Sequence, residues 1–275
     1  MKRALLIGID AYEDPKVDDL SGCVNDVELM AATLAASGFA EERMTKLTQA
    51  PGTTREGILV ALDSLVASTA AGDTVVLYYS GHGSQVPDVN ADEPDGLDET
   101  IVPSDSGRGT LPVRDIVDDE LNGALEEIGR RTDRATFIFD SCNSGTISRI
   151  LPPAGALDDT IAVRAVEAAA TAPEGARPVT RLLAQGDRAR RGIFTPGNYV
   201  LVTGCQPAQL SKETLYDGRR QGALTFFLTQ ELGRGGGRSV REIFEAAADG
   251  VRESVPDQDP TLEGPEPRLA ASELF

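Results

Sequence analysis

The stretch that decides the fold is Thr136-Phe137-Ile138-Phe139-Asp140-Ser141-Cys142-Asn143-Ser144-Gly145. Its first four residues are apolar or β-branched and predict a buried strand, and the small polar residues and glycine that follow predict a turn. Cys142 therefore lies at the carboxyl edge of a strand, where the loops of an open α/β sheet meet ligands. The alternative interpretation is a small buried hydrophobic residue, which is the commonest role of a free cysteine.

A second strand ends in a histidine. Residues 74–80 are again apolar or β-branched and lead into Gly81-His82-Gly83-Ser84, and His82 is the only histidine in the 275 residues. A cysteine nucleophile needs a base within hydrogen-bond reach. We therefore predict Cys142 as the nucleophile and His82 as the general acid and base of an acyl-transfer reaction.

Strands and helices alternate outward from these two segments. We predict strands at 3–9, 43–47, 73–80, 134–140 and 199–204, and helices at 25–37, 54–68, 118–131, 223–232 and 239–255. This alternation predicts right-handed crossovers and a mostly parallel sheet with helices on both faces. The strands that precede His82 and Cys142 should then be neighbours in the sheet.

Two motifs carry a family resemblance. Residues 79–84 and 140–145, together with Gly22-Cys23-Val24-Asn25-Asp26 and Asp95-Gly96-Leu97-Asp98-Glu99, resemble the caspase-like cysteine peptidases, most closely the metacaspases and their bacterial relatives. The resemblance implies a caspase-like three-layer α/β sandwich and a cysteine endopeptidase that requires no cofactor for its chemistry. It also implies an oxyanion hole formed by the backbone N–H groups of Gly83 and Cys142. The cysteine motif differs from the Gln-Ala-Cys-x-Gly of animal caspases.

The resemblance further implies a primary specificity pocket lined by Cys23, Asp26, Ser80 and Asp140. Asp140 lies two residues before Cys142, so strand alternation places both side chains on the same side. Two carboxylates in such a pocket would bind a guanidinium or ammonium group, so we expect polypeptide substrates with Arg or Lys before the scissile bond. A helix N-terminal charge is the alternative role for Asp26.

Calcium is a candidate activator. The acidic residues 88–99 resemble an EF-hand loop, but Glu93 stands where that loop requires glycine, which excludes an EF-hand. The family resemblance instead implies calcium ligands at Asp98, Asp118 and Asp119. The fourth ligand position is occupied by Arg149, a cation, so the dependence on calcium stays open.

The resemblance also divides the chain into a large-subunit-like catalytic region (1–151), an exposed processing loop (152–196) and a small-subunit-like region that completes the same sheet (197–275). The loop is rich in Ala, Pro, Gly, Thr and Arg, with one short helix predicted at 161–170. If the chain cleaves after arginine, this loop contains candidate sites for self-cleavage. We predict self-processing within 177–191, after one of the arginines not followed by proline: Arg181, Arg188, Arg190 or Arg191. Alternatively, these arginines merely offset an acidic chain.

Composition excludes several other functions. The net charge of −18 disfavours nucleic acid as a partner. No apolar run reaches the roughly 18 residues of a membrane span, and the three cysteines lack disulfide or zinc spacing. We therefore expect a cytoplasmic protein. A monomer is the default expectation for its oligomeric state. The alternative functions are a catalytically silent caspase-like scaffold for protein binding, or peptide ligation at the same two residues.

Overall fold

A central sheet organises the molecule, whose computed structural model describes residues 1–88, 96–142, 160–176, 198–207 and 209–275. The strands in chain order are β1 Lys2–Gly8, β2 Met44–Leu47, β3 Thr74–Ser80, β4 Gly83–Pro87, β5 Leu97–Ile101, β6 Ile116–Val117, β7 Arg134–Asp140, β8 Ala162–Val163, β9 Val200–Thr203, β10 Lys212–Tyr216, β11 Arg219–Gly222 and β12 Thr261–Glu263. The helices are α1 Cys23–Ala36, α2 Arg55–Ser68, α3 Asp118–Arg131, α4 Ala223–Gly233, α5 Val240–Ser254 and α6 Glu266–Leu269, with a 3₁₀ turn at Glu41–Arg43.

The central sheet has six strands in the order β12-β9-β7-β3-β1-β2. All neighbours pair in parallel except β12, which pairs antiparallel with β9. Strands buried on both faces are nearly all apolar, which explains the unbroken hydrophobic runs of β1, β3 and β7. The predicted mostly parallel sheet is confirmed, and the predicted strands and helices named above agree with the structure within two residues at each end.

Helices cover both faces of this sheet. On one face Leu6, Val76 and Ile138 pack against side chains from α1, α4 and α5, and on the other face Leu5 and Phe137 pack against α2 and α3. Successive residues of a strand point to opposite faces, so each strand supplies both hydrophobic cores. The predicted three-layer α/β sandwich is therefore confirmed.

Two smaller three-stranded sheets, β4-β5-β6 and β11-β10-β8, accompany the central sheet. The hairpin β10–β11 was not predicted. Its turn contains Asp217 at φ 50° and Gly218 at φ 78°, a left-handed pair that suits a tight two-residue hairpin turn. None of the helices in the part of the chain that the structure describes is long and apolar enough to cross a membrane.

One predicted element is wrong. Residues 161–170, expected to form a short helix, instead run in extended form, and Ala162–Val163 pairs with β10. The apolar side chains of this segment instead pack in two places: Val163 and Ala165 lie against a cluster that includes Cys142, and Ala169 lies in a second cluster with Val86 and Val117. The candidate self-processing residues Arg181, Arg188, Arg190 and Arg191, and also Arg149, lie outside the described residues.

Candidate active site

The site lies at the carboxyl edge of the two central strands. Ser80 at the end of β3 is paired with Asp140 at the end of β7, so the turns that carry His82 and Cys142 leave the sheet at the same level. A methyl group at Gly83 would overlap the carbonyl of Cys142. The close approach of these two turns therefore requires glycine at this position.

The His82 ring has one satisfied and one unsatisfied nitrogen. Nε2 lies 2.8 Å from the carbonyl oxygen of Asp18, so it carries the proton and donates. Nδ1 is buried and has no hydrogen-bond partner among the described residues. Burial lowers the pKa of His82 to about 4, although the bond to Asp18 opposes this shift. The ring is therefore neutral at physiological pH, with an acceptor lone pair on Nδ1.

The Cys142 thiol is enclosed. Its Sγ accepts a hydrogen bond from the Ser211 backbone N–H at 2.8 Å, and it packs in a small apolar cluster with Cys205 and Leu210. Burial, followed by the neighbouring Cys205, raises the pKa of the Cys142 thiol well above its ordinary value. In this enclosed state the thiol is protonated.

A fully buried arginine occupies the acidic pocket beside this thiol. Arg164 has no exposed surface, and its guanidinium contacts three carboxylates that are equally buried. Nη2 lies 2.5 Å from Asp26 Oδ2 and 3.3 Å from Glu213 Oε2, and Nη1 lies 3.1 Å from Asp140 Oδ2. The pocket thus matches a planar, forked cation in both charge and geometry.

Hydroxyl and amide groups hold the two predicted pocket carboxylates in place. Ser80 Oγ donates to Asp26 at 2.9 Å, and Ser211 Oγ and Thr225 Oγ1 donate to Asp140 at 2.8 and 2.7 Å. Burial raises the pKa of Asp26 to about 7, with Arg164 lowering it and Asp140 raising it further. Asp26, Ser80 and Asp140 therefore come together around one guanidinium.

The third carboxylate, Glu213, is held by the loop before α1. The backbone N–H groups of Ser21 and Gly22 donate to it at 3.1 and 3.2 Å. Cys23, the remaining predicted pocket residue, has its Sγ 3.9 Å from Glu213 Oε2. Cys23 thus lies at the wall formed by Glu213 rather than against Asp140.

The backbone of Arg164 makes equally specific contacts. Its N–H donates to the Ser211 carbonyl at 2.9 Å, and its carbonyl oxygen accepts from the N–H groups of Gly83 at 3.1 Å and Cys142 at 3.2 Å. These two donors are the pair that the family resemblance assigned to an oxyanion hole. The Arg164 carbonyl oxygen thus lies between these two donors, while the Arg164 side chain lies in the acidic pocket.

The caspase-domain family model matches residues 1–269. The chain belongs to the caspase-domain family. Metacaspase-1B of Aspergillus fumigatus is 33% identical over 257 residues, which cover 84% of this chain and 62% of that protein. Metacaspase-1A of Aspergillus clavatus is 31% identical over 274 residues, covering 90% of this chain and 62% of that protein. The chain therefore spans about three fifths of the length of these curated relatives.

A crystal structure of a protein from Geobacter sulfurreducens superimposes on this chain with a TM-score of 0.67 at 26% identity, covering 98% of this chain and 96% of that one. The predicted resemblance to the metacaspases and the predicted caspase-like fold are both confirmed.

The predicted calcium ligands belong to other elements than the pocket carboxylates. Asp98 is in β5, whereas Asp118 and Asp119 begin α3. Burial and the charges of Glu99, Asp119 and Asp98 raise the pKa of Asp118 well above its ordinary value, and its buried Oδ1 has no hydrogen-bond partner in the described part of the chain. No three His, Cys, Asp or Glu side chains among the described residues are arranged to hold a metal ion.

Sequence reasoning missed three residues of this caspase-domain site: Ser211, Glu213 and Arg164. Ser211 immediately precedes β10, and Glu213 lies within it. The alternation of their side chains along an extended segment was the available signal. Arg164 carried no comparable signal, because it lies in a segment whose composition resembles an exposed loop. Its partner Asp26 is 138 residues away in the chain.

Proposed function

We propose that this caspase domain is a cysteine endopeptidase that cleaves polypeptides after Arg or Lys. The observation that carries the proposal is the pocket of Asp26, Asp140 and Glu213, in which a guanidinium meets three buried carboxylates. The same carboxylates would repel the acidic side chain that animal caspases accept. Arg is preferred over Lys because a planar fork can meet carboxylates at both of its ends, whereas an ammonium acts as a point charge.

Cys142 is the proposed nucleophile and His82 the proposed acid and base. Nδ1 of His82 is the ring nitrogen available to accept a proton, since Nε2 already donates to Asp18. As Cys142 Sγ attacks the scissile carbonyl, the thiol proton passes to Nδ1, and the imidazolium then protonates the leaving amine. The N–H groups of Gly83 and Cys142 stabilise the oxyanion that forms on the carbonyl oxygen.

The raised pKa of the Cys142 thiol and the lowered pKa of His82 favour the neutral pair over the ion pair while the site is enclosed. Proton transfer therefore accompanies attack on the carbonyl rather than preceding it. Solvent that enters an open cleft would relieve both shifts, because burial is the first cause of each.

The proposal has two finer parts, self-processing and calcium activation. Self-processing within 177–191 rests on the fit of the pocket to arginine, and so does the division of the chain at 151 and 196. Calcium activation rests on the repulsion among Asp98, Asp118 and Asp119, which a bound cation would offset. No step of the proposed chemistry depends on calcium, and full activity in excess chelator would contradict calcium activation.

The test uses fluorogenic peptides that differ only in the residue before the scissile bond: Arg, Lys, Asp or norleucine. Wild type should hydrolyse the Arg peptide fastest and the Lys peptide next, whereas Cys142→Ala and His82→Ala should each lose at least a thousandfold in kcat. Cys205→Ala is the matched control, since it removes a neighbouring buried thiol, and it should retain activity.

Labelling with an arginyl chloromethyl ketone completes this test. The reagent should modify Cys142 in wild type and in Cys205→Ala, but modify no cysteine in Cys142→Ala. If Cys142 is neither alkylated nor required for hydrolysis, the chain is not this peptidase, and a protein-binding scaffold becomes the better interpretation of the fold.

A further inference from the structure

Residues 160–166, which we call the cleft segment, lie across the site as an added strand. Ala162–Val163 pairs antiparallel with Lys212–Glu213 of β10, and the Arg164 N–H continues this pairing to the Ser211 carbonyl. Beyond Arg164 the segment turns onto β4, where Ala165 forms a parallel bridge with Gly83 and the Val166 N–H donates to the Gly83 carbonyl at 3.0 Å. An extended peptide that adds to a sheet edge is a common mode of peptide recognition.

The position of the Arg164 carbonyl distinguishes a substrate from a structural ion pair. An arginine buried only to balance three carboxylates could direct its carbonyl anywhere. The Arg164 oxygen instead accepts from both Gly83 and Cys142, the donors assigned to the oxyanion. Such donors serve the residue immediately before the scissile bond. Side chain and carbonyl together therefore assign Arg164 to that position, with Ala165 following the bond.

We propose that the cleft segment is a tethered substrate, that the chain cleaves its own Arg164–Ala165 bond, and that the intact segment excludes other peptides from the cleft. The proposal rests on the proposed function of the same site. It places self-processing at a bond within the described residues, N-terminal to the arginines of the 177–191 stretch.

The chemistry is a hydrolysis and balances without a cofactor. Cys142 Sγ attacks the Arg164 carbonyl carbon while its proton passes to His82, and the Arg164 oxygen becomes the oxyanion. The bond to the Ala165 nitrogen breaks, that nitrogen takes the proton from His82, and Arg164 is left as a thioester on Cys142. Water then adds to the thioester, which yields the Arg164 carboxylate and restores the thiol.

The residues on either side of Arg164 fit the walls of the cleft. Val163 and Ala165 pack against the apolar cluster of Cys142, Cys205 and Leu210. Ser84 Oγ donates to the Val166 carbonyl at 3.0 Å and so holds the segment beyond the bond. The sequence Ile161-Ala162-Val163-Arg164 is therefore a suitable reporter peptide for the open site, with a coumarin amide in place of Ala165.

The first experiment follows the purified full-length chain by intact mass and N-terminal sequencing. Wild type should yield a fragment that begins at Ala165, and Cys142→Ala should stay intact. The variant in which Arg181, Arg188, Arg190 and Arg191 are all replaced by alanine is the matched control and should still be cut at Ala165. The inference is overturned if cleavage is absent, or occurs only within 177–191, in a preparation that hydrolyses the reporter.

Two further variants separate cleavage from occupancy. Ala165→Pro removes none of the hydrogen bonds described above, which involve Arg164 and Val166, but proline after the bond blocks cleavage. It should remain uncut and hydrolyse the reporter at least tenfold more slowly than cleaved wild type. Arg164→Ala should also remain uncut but hydrolyse the reporter at least as fast as cleaved wild type, because its cleft is open.

Arg164→Lys guards against misfolding of the alanine variant, since it keeps a cation among the carboxylates, and it should be cut several-fold more slowly than wild type. Reporter hydrolysis by Ala165→Pro at the wild-type rate would overturn the exclusion of other peptides. Reporter hydrolysis by Arg164→Ala or wild type, with no cut at Ala165 in wild type, would overturn the inference and leave the proposed function standing. If no variant hydrolyses the reporter or is alkylated at Cys142 by the arginyl chloromethyl ketone, the proposed function itself is overturned.

Discussion

Two groups of acidic residues in this caspase domain differ in how the charges around them are arranged. The pocket carboxylates, Asp26, Asp140 and Glu213, surround the guanidinium of Arg164. The helix-edge carboxylates are Asp118 together with Asp98, Asp119 and Glu99. Burial is the first cause that raises the pKa of Asp118, and the charges of Glu99, Asp119 and Asp98 raise it further.

The difference lies in how specific each group is for a cation. The pocket carboxylates meet opposite ends of a rigid fork and are fixed by hydroxyl and amide donors, so under the proposed function the group would select an arginine side chain. Asp118, whose pKa is raised by burial and by acidic neighbours, would be relieved by a proton or by a hard metal ion. Substitutions in each group should therefore affect different properties.

The largest effect is expected from Asp140→Asn. The substitution keeps the size of the side chain but removes the charge that faces Arg164 Nη1 at 3.1 Å. Loss of one partner of a buried ion pair costs about 3–5 kcal/mol, so kcat/KM for the arginyl reporter should fall by about 150- to 5,000-fold. Asp119→Asn, in the helix-edge group, is the control and should leave the preference for Arg over norleucine unchanged. Equal loss of this preference in both variants would erase the distinction between the groups.

Gly222→Ala should have the next largest effect, by filling the pocket. A methyl group at Gly222 would overlap both the Asp140 carboxylate and the Arg164 guanidinium, while the backbone at φ −68° accepts alanine without strain. Hydrolysis of the arginyl reporter should fall by about 10- to 100-fold, whereas iodoacetamide should still alkylate Cys142, since overpacking costs about 1–3 kcal/mol. Gly233→Ala is the matched control, because its methyl group would meet no atom within 4 Å. Unchanged hydrolysis by Gly222→Ala would mean that arginine binds elsewhere.

The pH dependence of self-cleavage sharpens the comparison further. Asp26 faces Arg164 and Asp140, and its pKa in the enclosed state is about 7, above its ordinary value of 3.8. The protonated form therefore predominates below about pH 7, where Arg164 loses one of its charged partners. His82, with a pKa of about 4, does not titrate in this range. The first-order rate of self-cleavage should rise about three- to tenfold from pH 6 to pH 8.

Asp26→Asn is the informative variant for this pH profile. It should cleave itself slowly, at a rate that changes little between pH 6 and pH 8, because the titrating carboxylate is gone. Intact-mass time courses at fixed ionic strength would measure both profiles. A rise of the same size in Asp26→Asn would assign the titration to another group.

The sequence predicted those parts of the molecule whose signal is local. Apolar runs identified the central strands, and the turns after β3 and β7 identified His82 and Cys142 as site candidates, because a strand and the turn that ends it are adjacent in the chain. Asp26 and Asp140 required the family resemblance, since a pocket assembled from α1 and β7 leaves no periodicity.

Arg164 and Glu213 could not be found in this way. Arg164 lies among alanines and prolines that resemble an exposed loop, and it is buried only because its charge is balanced by carboxylates up to 138 residues away. Glu213 belongs to a hairpin whose turn at Asp217 and Gly218 was not recognised as a left-handed pair. Partners that pair across such distances become visible only when the sheet brings them together.

The smallest effect is expected from Asp118→Asn, which tests the helix-edge group. The raised pKa of Asp118 means that the folded chain binds a proton more tightly than the unfolded chain, so this stabilisation is complete below the ordinary pKa and is lost as pH rises through the raised value. In chelator at pH 8, removal of the carboxylate should therefore raise Tm by about 2–4 °C, the shift expected for roughly 1 kcal/mol. Glu13→Gln, an exposed carboxylate, is the control and should leave Tm unchanged. If calcium binds this group, adding it should raise the Tm of wild type and of Glu13→Gln but not of Asp118→Asn. A lower Tm for Asp118→Asn in chelator would show that Asp118 is stabilised as an anion, and the contrast with the pocket carboxylates would then be lost.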